Sequence, residues 1–402
     1  MSRRIPRNVL LLGLLSLFND VTADVITPLL PAYLATMGLG ASFLGVMEGL
    51  ASSISNMTML FSGWYADRRG KGKALTIGGY ALCTFARLFY ALPLPEVTLS
   101  VRILDRFGKG IRTAPRDQLL TESMEKSRWG EAFGIQRMMD HTGSLIGPLA
   151  ATAILAAFSI KLPTLFLVAS IPAILSVLII PRFIKTVPAQ APPSSSGLSW
   201  KRLPRAMKIY VALMFLSALT TPSELFLIMK MKDLGLAPYQ MPMAWFAMTI
   251  STLVATYVGG RLSDAWSRRR TIALGWILFS VIYAGFAFNG SLPIAWGLIA
   301  AYGFHTGLIE PAERAYPATV ATSEVRATTL GWYYFAYGMG LLPASLLFGL
   351  IWDHVNSRFA FLLNAGLTVV TTMLLTLLPS DRPRPKPSPD GVPDPDGNPG
   401  PS

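Results

Sequence analysis

Gly63-Trp64-Tyr65-Ala66-Asp67-Arg68-Arg69-Gly70-Lys71-Gly72-Lys73 is a short basic turn between two long apolar runs. The run behind it covers 42–66 and the run ahead covers 73–93. Each approaches the roughly 20 mostly apolar residues that cross the hydrocarbon of a bilayer. A Lys/Arg-rich turn joining two such runs predicts a hairpin of transmembrane helices with its turn in the cytoplasm.

The same alternation continues outward in both directions. Spans are expected near 8–37, 42–66, 73–93, 97–119, 130–158, 163–181, 206–231, 240–264, 271–289, 292–315, 327–353 and 357–378. The composition agrees: 52% of residues are hydrophobic and 14% charged, against about 25% charged in soluble domains. In hydrocarbon the backbone must satisfy its own hydrogen bonds, so spans are helices or strands of a closed barrel. Barrel strands alternate over about 10 residues, and these runs are longer and evenly apolar. The expected fold class is an all-α membrane protein of 12 transmembrane helices.

Basic residues fall in alternate loops. One side holds Arg3, Arg4 and Arg7, the 68–73 turn, Lys126 and Arg128, Arg182 to Arg205, Arg268 to Arg270, Arg326 and the tail. The other holds little beyond Lys161 and Arg358. Both termini are therefore expected in the cytoplasm. Arg3, Arg4 and Arg7 precede an apolar stretch longer than a signal-peptide core, which reads as a retained first span. The net charge of +13 is then a topology signal and an attraction to anionic lipid, not a nucleic-acid footprint. The single cysteine, Cys83, leaves no intramolecular disulfide framework.

A shift of 197 residues superimposes one half of the chain on the other. Gly38 falls on Gly235, Gly63 on Gly260, Asp67 on Asp264, Gly78 on Gly275, Gly110 on Gly307, Gly134 on Gly331 and Gly143 on Gly340. This predicts two similar six-helix halves, 1–181 and 206–379, with a site at their interface. Between them, 182–205 is rich in Pro and Ser and reads as a cytoplasmic linker. The Pro-, Asp- and Gly-rich tail 380–402 is expected to be disordered.

The 63–73 turn resembles the loop signature of the major facilitator superfamily of secondary carriers. A second, degenerate copy runs Gly260-Arg261-Leu262-Ser263-Asp264 before Arg268-Arg269-Arg270, with Ser267 where the turn glycine stood. The resemblance implies that Asp67 and Arg68 latch the cytoplasmic side, with Gly63 allowing close helix approach, Gly70 a tight turn, and Lys71, Gly260 and Asp264 as further gating candidates; a plain topology-setting basic loop is the simpler alternative. Span five carries Gly143-Ser144-Leu145-Ile146-Gly147-Pro148. It is similar to a Gly-x3-Gly-Pro found in exporters of that family, where it is linked to proton antiport. Here Leu149-Ala150-Ala151 follows in place of further glycines. Ordinary small-residue packing also uses such glycines, and Pro148 can bend the helix.

Span four reads Arg102-Ile103-Leu104-Asp105-Arg106-Phe107-Gly108-Lys109-Gly110-Ile111-Arg112-Thr113-Ala114-Pro115-Arg116-Asp117. It resembles a prokaryotic subgroup of the family, and in the family spans one, four, seven and ten line the cavity. At 100° per residue Arg102, Arg106, Lys109, Arg112 and Arg116 share one broad face. Each charge at the bilayer centre costs about 2.5–3.5 kcal/mol on insertion scales, so the stripe must line water or find acidic partners. Asp20 and Asp24 lie four apart on one face of span one and are candidate proton carriers or partners of these arginines. Further candidates are Glu224 in span seven, and His305, Glu310 and Glu313 in span ten. Arg137, Asp140 and His141 in span five and Glu48 in span two complete the set, each open between structural pairing and function.

No Gly-x4-Gly-Lys-Ser/Thr loop occurs in the chain, so ATP drive within it is not expected. The expected function is a proton-coupled secondary exporter of a small organic solute, with the basic stripe pointing to an anion, working as a monomer by alternating access without cofactor, metal or enzymatic step. Efflux of a divalent metal through Asp20, Asp24 and His305 is an alternative. So is a non-transporting receptor or scaffold on the same fold.

Overall fold

The computed structural model describes residues 5–69, 71–125, 128–185, 200–320 and 323–378, all helical or in short connections. In chain order the helices are α1 (Arg7–Ile26), α2 (Leu30–Thr36), α3 (Ala41–Arg69), α4 (Gly72–Arg87), α5 (Pro95–Glu122), α6 (Trp129–Ala157) and α7 (Leu162–Ile179). They continue as α8 (Arg205–Leu219), α9 (Leu225–Asp233), α10 (Met241–Ala265), α11 (Arg268–Phe288), α12 (Leu292–Val320), α13 (Ser323–His354) and α14 (Ser357–Leu374). The expected tail 380–402 and most of the expected linker lie outside the described residues.

Among the described residues, eight helical stretches are both long enough and apolar enough to cross a membrane. The expected spans 42–66, 97–119, 130–158 and 206–231 are not among them, for different reasons. α3 carries Glu48, Ser52, Ser53, Ser55, Asn56 and Thr58, α5 carries the basic stripe, and the first half of α6 carries Glu131, Arg137 and Asp140. The 206–231 run is interrupted rather than polar: α8 ends at Leu219 and α9 begins at Leu225. Pro222, without a backbone N–H, sits in that gap. Span one is bent in the same way, by a 3₁₀ turn at Thr27–Leu29 that contains Pro28 and precedes Pro31.

The two described residues with positive φ are Gly38 (71°) and Gly235 (96°). Each stops a helix in the same manner. Leu39 N–H donates to Leu34 O at 3.1 Å, and Leu236 N–H donates to Met231 O at 2.9 Å. These are the six-to-one bonds of a Schellman stop, which needs the left-handed residue that glycine supplies.

The packing differs between the two ends of the bundle. At one end a single apolar core joins residues from both halves of the chain, including Leu29, Leu34 and Met47 with Phe226, Tyr283 and Phe348. At the end that carries the basic loops there are two cores. One holds Val9, Leu12, Tyr80 and Leu120, the other Met207, Tyr210, Ile272 and Tyr316. The halves are thus fused at one end and separately packed at the other. α3 against α13 and α6 against α10 are the long contacts between them, while α2 meets α9 at the fused end.

Candidate functional site: a charged seam between α1 and α5

α5 begins at Pro95, whose missing N–H suits a first helical turn, and carries its cations inward against α1, α3 and α4. Arg102 is 2% exposed. Its Nε donates to Glu48 Oε1 at 2.6 Å and its Nη2 to Glu48 Oε2 at 2.9 Å, the fork geometry of a strong Arg–carboxylate pair. Asp105 is held by Arg87 Nη2 at 2.7 Å, and Arg87 Nη1 donates to Asn19 O at 2.9 Å. Arg112 reaches Asp20 Oδ1 at 3.5 Å and lies 4.1 Å above the Tyr80 ring. Arg116 bonds Asp117 at 2.8 Å and approaches Asp140 at 3.5 Å; Gln136 Nε2 donates to the other Asp140 oxygen at 2.7 Å.

The stripe therefore divides. Arg102, Arg112 and Arg116 are buried and committed to carboxylates from α1, α3 and α6. Arg106 and Lys109 are not. Arg106 is half-buried and its Nε has no partner, and Lys109 is exposed although it lies mid-helix. Both act electrostatically on Asp24, which has no ion pair within 4 Å among the described residues. The aspartates of span one divide in parallel: Asp20 is tied to Arg112, and Asp24 takes a hydrogen bond from Ser144 of α6 while feeling the charges of Lys109 and Arg106.

The 143–148 motif lies directly behind these aspartates. A Cβ added at Gly143 would stand 2.5 Å from Leu17 O, and one at Gly147 would stand 2.6 Å from Val21 O. α6 thus meets α1 backbone to backbone on the turns that carry Asp20 and Asp24, with Pro148 buried inside α6 just beyond. Glycine is what permits this approach.

The second-half candidates do not join the seam as a group. Half-buried Glu310 is the exception, because its charge acts on His141 of α6 alongside Asp140 and Asp20. His305 is 3% exposed and packs against Phe279 and Tyr302. Its Nδ1–H donates to Gly275 O at 2.8 Å, so it does not meet Asp20 and Asp24. Among the described residues no three His, Cys, Asp or Glu side chains form a metal-holding group. Glu224 sits at the N-cap position of α9 without a side-chain capping bond, and its charge acts on Tyr283 and Tyr302. Glu313 is buried, taking the Trp276 Nε1–H at 3.2 Å. Of the latch residues, Gly63 faces Ala114 at 3.1 Å from its added Cβ, Gly260 has nothing within 4 Å, and Lys71 is exposed. The side chains of Asp67, Arg68 and Asp264, and all of Gly70, lie outside the described residues.

Arg87 holds Asp105 without belonging to any of the motifs legible in the sequence. Its signal was a lone arginine within the apolar run 73–93. Tyr80 and Ser16, joined by a 2.9 Å hydrogen bond beneath Arg112 and Arg116, carried none.

Comparison with known proteins agrees with this architecture. The family model described as Major Facilitator Superfamily matches residues 10–251 and 209–398. An uncharacterised MFS-type transporter of Methanocaldococcus jannaschii is 30% identical over 390 residues, covering 94% of this chain and 96% of the relative. The fosmidomycin resistance protein of Escherichia coli is 24% identical, with 92% of each chain covered. A multi-drug resistance efflux pump PmrA homologue of Lactococcus lactis is 23% identical, covering 92% and 94%. Among solved structures, the nucleoside transporter NupG matches with a TM-score of 0.75 at 14% identity, covering 92% of this chain and 98% of that one. A family pattern matched over nearly the whole chain, helices that cross a membrane repeatedly and buried charge between them have one common explanation: the chain belongs to the Major Facilitator Superfamily and is a multi-pass membrane transporter.

Proposed function

We propose that the chain is a proton-coupled exporter of a small organic anion, built from twelve spans in two six-helix halves with both termini in the cytoplasm. The observation that carries the reading is the placement of Asp24. It is the carboxylate of the seam without an ion pair among the described residues, takes a hydrogen bond from Ser144, feels the charges of Lys109 and Arg106, and rests on the Gly143–Gly147 face of α6. A proton on Asp24 removes the negative charge that Arg106 and Lys109 feel, and an organic anion on those cations supplies a negative charge in its place. The two events are therefore linked in free energy. Export is favoured by the Gly-x3-Gly-Pro motif and by the names of the Escherichia coli and Lactococcus lactis relatives.

Support for the repeat comes from the 197-residue offset reappearing in the geometry. The two left-handed glycines obey it, and so do their Schellman bonds. A Cβ on Gly110 would strike Ser55 O, and one on Gly307 would strike Thr252 O, again at the same offset. The fused and divided ends of the bundle correspond to a carrier open toward the basic loops.

The test is thermal unfolding of the purified protein in detergent against organic anions, organic cations and divalent metals, with fosmidomycin as the first anionic probe. A ligand at 100 times its Kd adds about 2.7 kcal/mol. Stabilisation by an anion that is lost in Arg106→Ala is expected. Stabilisation by cations or metals alone, retained in Arg106→Ala, would overturn the anion assignment.

A further inference from the structure

The fused end of the bundle contains a polar contact between the halves that the charged seam does not use. α3 starts at Ala41, preceded by Gly40, which has no side chain with which to cap the helix. The first N–H groups of a helix have no partner within it. Here the partner comes from α13: Asp353 Oδ1 accepts from Ala41 N–H at 3.1 Å and Oδ2 from Ser42 N–H at 2.7 Å. Ser42 Oγ adds a bond to Gly349 O at 3.3 Å.

Gly40 makes the contact possible. A Cβ there would stand 2.8 Å from Asp353 Oδ2 and 3.0 Å from Oδ1, so any larger residue would push the carboxylate off the helix end. Below the clasp the two helices run in close backbone contact. A Cβ on Gly49 would stand 2.9 Å from Leu342 O, and Ser53 Oγ donates to Gly338 O at 2.5 Å.

We propose that Asp353 is a gating residue of the transport cycle, whose carboxylate on the N-terminus of α3 holds the bundle shut at the end away from the basic loops. A carboxylate at a helix N-terminus is favoured by the helix dipole and by charge-assisted hydrogen bonds. Asp353 is exposed at the rim of that end, and α3 and α13 belong to different halves, so opening that end pulls the N-terminus of α3 away from it. The clasp therefore biases the equilibrium toward the state open at the basic loops. A weaker clasp releases the bias without touching the charged seam.

The inference rests on alternating access, and its test requires no substrate, so its failure would leave the anion and proton assignments standing. In a Cys83→Ser background, Met47→Cys places one thiol in the joint core, where Met47 is 0% exposed. Leu213→Cys, in the second half's own core at 3% exposure, is the control. A membrane-impermeant maleimide is applied to right-side-out vesicles. Asp353→Asn keeps the size but loses the charge, and Gly40→Ala displaces an intact Asp353. Both are expected to raise labelling at position 47 by roughly fivefold, the scale of population shift produced by losing a charged cap, with position 213 still protected. Labelling at 47 unchanged in both variants, or raised at 47 and 213 together as in a merely loosened bundle, would overturn the proposal.

Discussion

Glu48→Ala is expected to lower the stability of the folded protein by about 3–5 kcal/mol, the usual result of removing one partner of a buried ion pair. The cause is Arg102. With Glu48 gone, its guanidinium remains buried with only Thr27 Oγ1 at 3.4 Å and Asp105 Oδ2 at 3.9 Å, and Asp105 already serves Arg87. Glu48→Gln keeps the volume and one acceptor and should lose less. The double variant Glu48→Leu, Arg102→Met removes both charges and should recover most of the stability, because a buried pair replaced by apolar residues of similar volume is often neutral. Thermal unfolding in detergent reads all three. Loss of under about 1 kcal/mol in Glu48→Ala would mean that water reaches the pair. The double variant also separates roles: if it folds and transports, Arg102 is a structural strut of α3 and α5; if it folds and fails, the pair takes part in the cycle.

Asp24→Asn is expected to abolish proton-driven flux while the protein still inserts and folds. The amide nearly matches the carboxylate in size, so the backbone contact of α6 on α1 at Gly143 and Gly147 is undisturbed. The change removes the titration and the charge felt by Arg106 and Lys109. Asp20→Asn should behave differently, since it strips the counter-ion from buried Arg112 and should lower stability as well as activity. The comparison is made by solute-induced pH change in lightly buffered proteoliposomes, with thermal unfolding as the control for folding. Equal proton movement in wild type and Asp24→Asn would remove Asp24 from coupling.

Most helix positions were legible in the sequence because apolar runs of fixed length are local signals. The ends of α6, α10 and α14 fall within a few residues of the expected spans. The apolarity of span seven hides the break at Thr220–Glu224, although Pro222 marks the place. The charged stripe was legible as five cations on one face, but which of them are committed was not. That depends on Glu48 lying 54 residues from Arg102 in sequence, and on Asp140 and Asp20 converging from different helices. His305 stood out by residue type, yet a carbonyl on α11 and two aromatic rings keep it away from the aspartates. The clasp at Asp353 could not be read at all, since its partners are backbone N–H groups more than 300 residues away.

The most direct measurement is the initial rate of uptake of the stabilising anion into everted proteoliposomes as a function of an imposed pH gradient. The account predicts that the rate rises as the interior is made more acidic and collapses when a protonophore is added. A rate that follows only the solute's own gradient, unchanged by interior pH or protonophore, would contradict it.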